Sequence, residues 1–261
     1  KRCGDVCKVT HLLRAHGPNL EADALNRFDK DLEKALALAT GGPLHGEAHK
    51  QAALGVKQGG LGARKAADVV LPAFLASRVQ AKPLVEKLAA QLTEQGLLPA
   101  AFEETYDHEV DVAHGAFAAK LSPARAERLD ELLARARENG QAKAEALAAG
   151  RALPRPQQNC GSSREAGEAL VVPAGGEDPE SEPGFGGFQQ ELCALLDEQR
   201  GEGLRTTATQ QERWGDLRRL QELQDPSVSH DWLWALNPVH GATVAPGDFG
   251  TALRIRLGAH L

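Results

Sequence analysis

Apolar side chains in this chain recur mostly every three or four residues, and no run of alternating strands appears. Leu25, Phe28, Leu32 and Leu36 set the pattern, and Leu129, Leu132, Leu133 and Ala136 repeat it. A period near 3.6 puts one face of each segment into a core and leaves the other wet. The reading is therefore all-α: an irregular helical bundle with a Gly-rich loop or small hairpin and a long disordered linker.

Punctuation residues divide the pattern. Val9, Leu12 and Leu13 give a short helix that stops at Gly17-Pro18. Asn19 reads as the N-cap of a helix that ends at Gly41-Gly42. His45 to Leu54 reads as another short helix. Gly59-Gly60-Leu61-Gly62 is expected to be a turn or small hairpin, since each Gly costs a helix about 1 kcal/mol. Helix resumes near Arg64 and runs to Leu71, where Pro72 either kinks it or opens a new turn before Phe74–Val79. Residues 84–95 and 100–120 are helical by pattern. Ser122-Pro123 is an N-cap followed by Pro at the first helical position, and Gly140 is expected to interrupt that helix.

The composition then changes. Residues 151–187 are rich in Pro and Gly and carry the acidic run Glu177–Glu182, the signature of a disordered linker. Order is expected again at Phe188–Gln199, Gln210–Leu223, His230–Leu236 and Pro246–Leu257. The expected division is a helical domain over 1–150, the linker over 151–187 and a small helical segment over 188–261.

Composition limits the core and the chemistry. The 261 residues include one Tyr, three Trp and seven Phe, so Leu, Ala and Val must build the interior. Methionine is absent, which suggests a piece of a longer product. No stretch approaches 18 apolar residues, so no membrane partner is expected. Four cysteines do not make a disulfide framework, and an intracellular setting is the expectation. Net charge is −6, split as +5 over 1–90, −5 over 91–150 and −6 over 151–261. Only the first third has the sign to attract a polyanion.

Few motifs carry chemistry. Cys3, Cys7 and His11 share a helical face at metal-ligand spacing, but a fourth ligand would have to come from elsewhere, and two buried thiols beside a polar ring are the favoured reading. His45 and His49 also sit four apart, yet Glu47 is one position away from where a zinc-protease glutamate follows its first His. A metal-dependent hydrolase on these three is the least favoured reading. No Walker loop and no G-x-S-x-G elbow occurs. Glu103-Glu104 and Asp130-Glu131 read as solvated helix faces, and Trp232 and Trp234 as core.

Taken in order, several segments form a pattern. They are Lys8–Arg14 (KVTHLLR), Val56–Asp68 (VKQGGLGARKAAD), Pro72–Ser77 (PAFLAS), Trp232–Pro238 (WLWALNP) and Phe249–Gly258 (FGTALRIRLG). Together they resemble the region that follows the polymerase domain in reverse transcriptases of non-LTR (LINE-type) retrotransposons. The resemblance covers 6–82 and 210–258; Ala63 and Asn237 depart from the pattern. The family's aromatic-x-Asp-Asp motif, which holds the two metal ions of nucleotidyl transfer, does not occur in this sequence. The resemblance implies a non-catalytic thumb or connector, with no cofactor of its own and Mg2+ in the parent enzyme. Its implied partners are the RNA/DNA template–primer duplex and the upstream polymerase domain; its implied location is the nucleus. Lys57, Gly59, Gly60, Arg64 and Lys65 are the expected nucleic-acid contacts, because a glycine loop entering a helix offers amides and cations to a phosphate. The alternative is an all-α interaction or scaffold protein with no nucleic-acid role.

Overall fold

The computed structural model describes residues 4–99, 101–150, 185–225, 227–228, 233 and 245–259. Among these residues the secondary structure is entirely helical. In chain order the helices are α1 (Gly4–His16), α2 (Ala22–Thr40), α3 (Gly46–Ala52), α4 (Ala66–Glu94), α5 (Phe102–Ala118), α6 (Pro123–Ala148), α7 (Phe185–Gln210), α8 (Trp214–Leu223) and α9 (Pro246–Arg256). Short 3-10 turns occupy Gly17–Asn19 and Val56–Gln58.

α4 is the axis of the molecule. Val70 to Ala76 are all buried, so this stretch faces protein on every side. α1, α2, α5, α6 and α7 pack around it. The main core gathers Leu13, Phe74, Tyr106, Phe117, Leu129, Leu133, Leu192 and Leu195. Two smaller clusters lie apart from it. Ala48, Ala52 and Leu257 form one, and Leu54, Leu204 and Leu220 the other.

α4 departs from the expected breaks. It is one 29-residue helix that runs through both Pro72 and Pro83. A proline removes one ladder donor and crowds the preceding turn, at about 3 kcal/mol in an exposed helix. Here packing around Val70–Ala76 outweighs that local cost. Gly140 likewise does not interrupt α6, which continues to Ala148. A Cβ there would stand 3.0 Å from the Gln80 carbonyl, so glycine lets α6 lie close against α4. Asn19 is not a helix cap either. It ends a 3-10 turn, and α2 begins after Glu21 without a side-chain cap.

The expected boundary between 1–150 and 188–261 is crossed by the core. α7 buries Phe188, Leu192, Leu195 and Leu196 against α4 and α6 residues. Arg128 of α6 reaches Glu198 of α7 at 3.1 Å, with Arg125–Glu202 and Arg135–Glu191 on either side. Rising numbers on α6 meet falling numbers on α7, so the two helices run antiparallel. Exposed pairs of this kind each contribute little to stability, but they fix register. The expected linker falls on residues 151–184, which lie outside the described residues, while 185–187 belong to α7. Trp232 and Trp234 also lie outside them.

Candidate functional site

The glycine loop between α3 and α4 is a junction of five elements. It opens with the 3-10 turn Val56–Gln58, closed by Gly59 at φ 87°. No strand forms, so the hairpin alternative is replaced by a turn. The reason lies in where the loop amides go. Gln58 N–H donates to Gly55, Gly59 to Val56 and Gly60 to Gly55, each at 3.0 Å. Leu61 and Ala63 N–H donate to the Ala52 carbonyl, Gly62 to Leu54 and Arg64 to Gly62. Every amide from Gln58 to Arg64 therefore has a partner inside the chain. A phosphate cradle needs those donors free.

Gly60 is required by contact. A Cβ on it would fall 2.1 Å from the Leu54 carbonyl oxygen. Above it lies Arg256 of α9, only 4% exposed, which donates from Nε to Gly60 O (3.2 Å) and from Nη2 to Val56 O (3.1 Å). Buried Gln51 of α3 completes the lock. Its Nε2 donates to Gly59 O at 2.9 Å and to Arg256 O at 3.1 Å. Arg219 of α8 donates to Gln51 Oε1 at 2.9 Å and also to the Arg256 carbonyl. Burial, with Arg219 close by, lowers the affinity of the Arg256 guanidinium for its proton. The carbonyl ring around it supplies the acceptors that such burial demands.

Arg64 turns inward. Its Nη2 and Nε lie 2.5 and 3.1 Å from Oδ2 of Asp197, a residue of α7 that is 1% exposed. The same oxygen accepts the Gly55 N–H at 3.1 Å. Burial works against the Arg64 charge, but the bond to Asp197 and its negative charge outweigh it and hold the proton more firmly. One turn away Arg200 makes a two-pronged bond to Asp68 of α4 at 2.7 and 2.8 Å.

The start of α4 is also occupied. Asp29 of α2, 6% exposed, accepts from Ala66 N–H at 2.6 Å and from Ala67 N–H at 3.4 Å. A carboxylate at a helix N-terminus satisfies orphan donors and suits the dipole, which is the role the loop motif offers to a phosphate. In this fold the chain supplies its own anion.

The five expected contact residues are thus placed very differently. Gly59 and Gly60 are buried in the junction. Arg64 is spent on Asp197. Lys65 bonds Glu33 at 2.9 Å and keeps part of its side chain in solvent. Lys57 is exposed and makes no ion pair among the described residues. Asp29, Gln51, Asp197 and Arg256 escaped the sequence reading. Each stands within an apolar stripe, Asp29 four residues after Leu25 and Asp197 beside Leu195 and Leu196, and that position is the one visible signal.

Among the described residues, no three His, Cys, Asp or Glu side chains are placed to hold an ion. His49 Nε2 instead faces Glu33 at 3.4 Å. Cys3 falls outside the described residues and His11 is exposed. Among the described residues no helix is long and apolar enough to cross a membrane. Comparison with protein-family models, with curated proteins and with solved structures finds no match for the chain.

Proposed function

We propose that this chain is a non-catalytic part of a non-LTR retrotransposon RNA-directed DNA polymerase, helping to hold the template–primer duplex beside an upstream active site. One observation carries the reading. The segments Val56–Asp68 and Phe249–Gly258, which bear the resemblance, lie nearly 200 residues apart in sequence yet close on each other through Arg256, Gly59 and Gly60. Residues that recur together in a family pattern are here the two halves of one lock. The lock ties α3, α8 and α9 to the loop that leads into α4, and a thumb or connector needs a support joined in this way.

In this reading the glycine loop shapes the support and does not itself grip phosphate. Lys57 and the half-exposed Lys65 are the loop cations left to meet a backbone. The scaffold reading, without nucleic acid, is favoured by the internal use of the loop amides and of Arg64.

The deciding experiment is a salt titration of RNA–DNA heteroduplex binding by the whole chain, followed by fluorescence anisotropy. Two phosphate contacts predict a log–log slope of about −2, and Lys57→Ala should flatten it by about one. Arg64→Ala should leave the slope unchanged, because that charge is already neutralised by Asp197. Absence of binding at low salt would leave the scaffold reading in place.

A further inference from the structure

α6 outruns the helix that pairs with it. The ion pairs Arg128–Glu198 and Arg135–Glu191 set its register with α7, and α7 begins at Phe185, so α7 reaches only to the level of Gln141. Gly140 holds α6 close to α4 here. Between the two helices runs a groove of about 550 Å3, from Val79 to Glu86 on α4 and from Arg137 to Glu145 on α6. Val79, Pro83 and Ala142 give it an apolar floor. One end continues, past Val79, Lys82 and Arg137, into a narrower cavity of about 160 Å3 walled on its far side by α5. Among the described residues no helix lies over this seam.

We propose that the groove docks an amphipathic helix of a partner protein, apolar along one stripe and basic along both edges. The span fits such a ligand. Eight residues of α6 at 1.5 Å each make about 12 Å, the length over which a docked helix presents anchors at i, i+3 or i+4, and i+7. Charge supplies the basic edges. Of the residues lining the groove and cavity, Arg78 is matched by Glu109. Lys82 has two carboxylates, Asp107 at 2.7 Å and Glu86 at 3.6 Å. Arg137 stands against Asp111, Glu138 and Glu145. Three negative charges are therefore left over. Glu86 lies on the α4 rim and Glu138 and Glu145 on the α6 rim, so both edges of the floor carry carboxylates. That excess attracts lysine and arginine and repels phosphate. The inference does not rest on the nucleic-acid reading. It gives the chain a protein-binding face apart from the loop lysines.

The test is anisotropy of a labelled helical peptide, with leucines at i, i+3 and i+7 flanked by lysines, titrated with the whole chain. A matched peptide carries glutamates in place of the lysines. The basic peptide should bind and the acidic one should not. Glu138, Ala142 and Glu145 are exposed, so their replacement spares the core. Reversing both rim charges, Glu138→Lys with Glu145→Lys, should weaken the basic peptide about 10-fold and let the acidic peptide bind. Ala142→Arg fills the floor and should weaken the basic peptide as much. Glu222→Lys, on α8 away from the groove, should change neither. Equal loss in Glu222→Lys would reduce the effect to overall charge and overturn the proposal. So would no binding, or binding that ignores Ala142→Arg. Displacement of the peptide by RNA–DNA heteroduplex would assign the groove to nucleic acid instead. Self-association of the parent chain that Ala142→Arg abolishes would assign it to a second copy.

Discussion

Replacing Asp197 by Ala should destabilise the chain more than removal of any surface charge. Asp197 is 1% exposed and its carboxylate carries two loads, the Arg64 guanidinium and the Gly55 amide. Breaking a buried ion pair from one side costs about 3–5 kcal/mol, because the other charge is left without its partner. The stranded Gly55 N–H adds about 1–3 kcal/mol if water cannot reach it. Part of each is recovered by relaxation, since the Arg64 side chain is 28% exposed and can swing outwards. A net loss of about 4 kcal/mol is expected, a large share of the 5–15 kcal/mol that holds a typical domain together. At a denaturant slope of about 3 kcal/mol/M, the urea midpoint should fall by roughly 1.3 M. Urea unfolding should be followed by far-UV circular dichroism and by tryptophan fluorescence, which must coincide for a single transition to be assigned. The double variant Arg64→Met with Asp197→Leu buries no unpaired charge. It should recover to within about 2 kcal/mol of the parent, the residue being the lost Gly55 bond. A single Asp197→Ala variant within about 1 kcal/mol of the parent would refute the buried pair as a structural tie.

Asp29→Ala strips the start of α4 of its anion and should cost about 2 kcal/mol, the upper range for a helix cap, with Asp29→Asn losing less; thermal unfolding measures both. Gly60→Ala should fail to reach the native fold at all or melt far below the parent, because the new Cβ would stand 2.1 Å from the Leu54 oxygen. Burial pushes the Cys193 thiol up to about 11 from 9.0. A raised folded value means that the unfolded chain releases this proton first. The stabilisation is therefore complete below about pH 9 and is lost as pH rises towards 11. Cys193→Ala should flatten that alkaline limb. Thiol labelling at pH 8 should be far slower in the native chain than in urea.

The helical class and several ends were legible because they depend on local chemistry. Pro246 opens α9 and Ser122-Pro123 opens α6 through rules that act within one turn. The continuity of α4 was not legible, since proline signals a break and only the packing of five neighbours overrides it. The junction failed for a different reason. Asp29 finds its partners 37 and 38 residues away, Asp197 finds Gly55 at 142 and Arg64 at 133, and Gln51 finds Arg256 at 205. No periodicity reports a partner at such separations. A glycine loop with flanking cations therefore read as a phosphate site. The same glycines are equally what a chain needs where other backbone and side chains press against it. The front third's positive excess has the same explanation. Arg64, Arg78 and Lys82 are matched by Asp197, Glu109 and Asp107 from later in the chain.

The central structural claim is that the glycine loop is an internal lock, and residue-resolved amide hydrogen exchange tests it most directly. With each N–H from Gln58 to Arg64 bonded within the chain, these amides should exchange slowly, on the scale of the α4 core. They should not change when RNA–DNA heteroduplex is added. Exchange at the rate of free peptide, or protection that appears only with the duplex, would contradict the lock and return the loop to the role of a phosphate cradle.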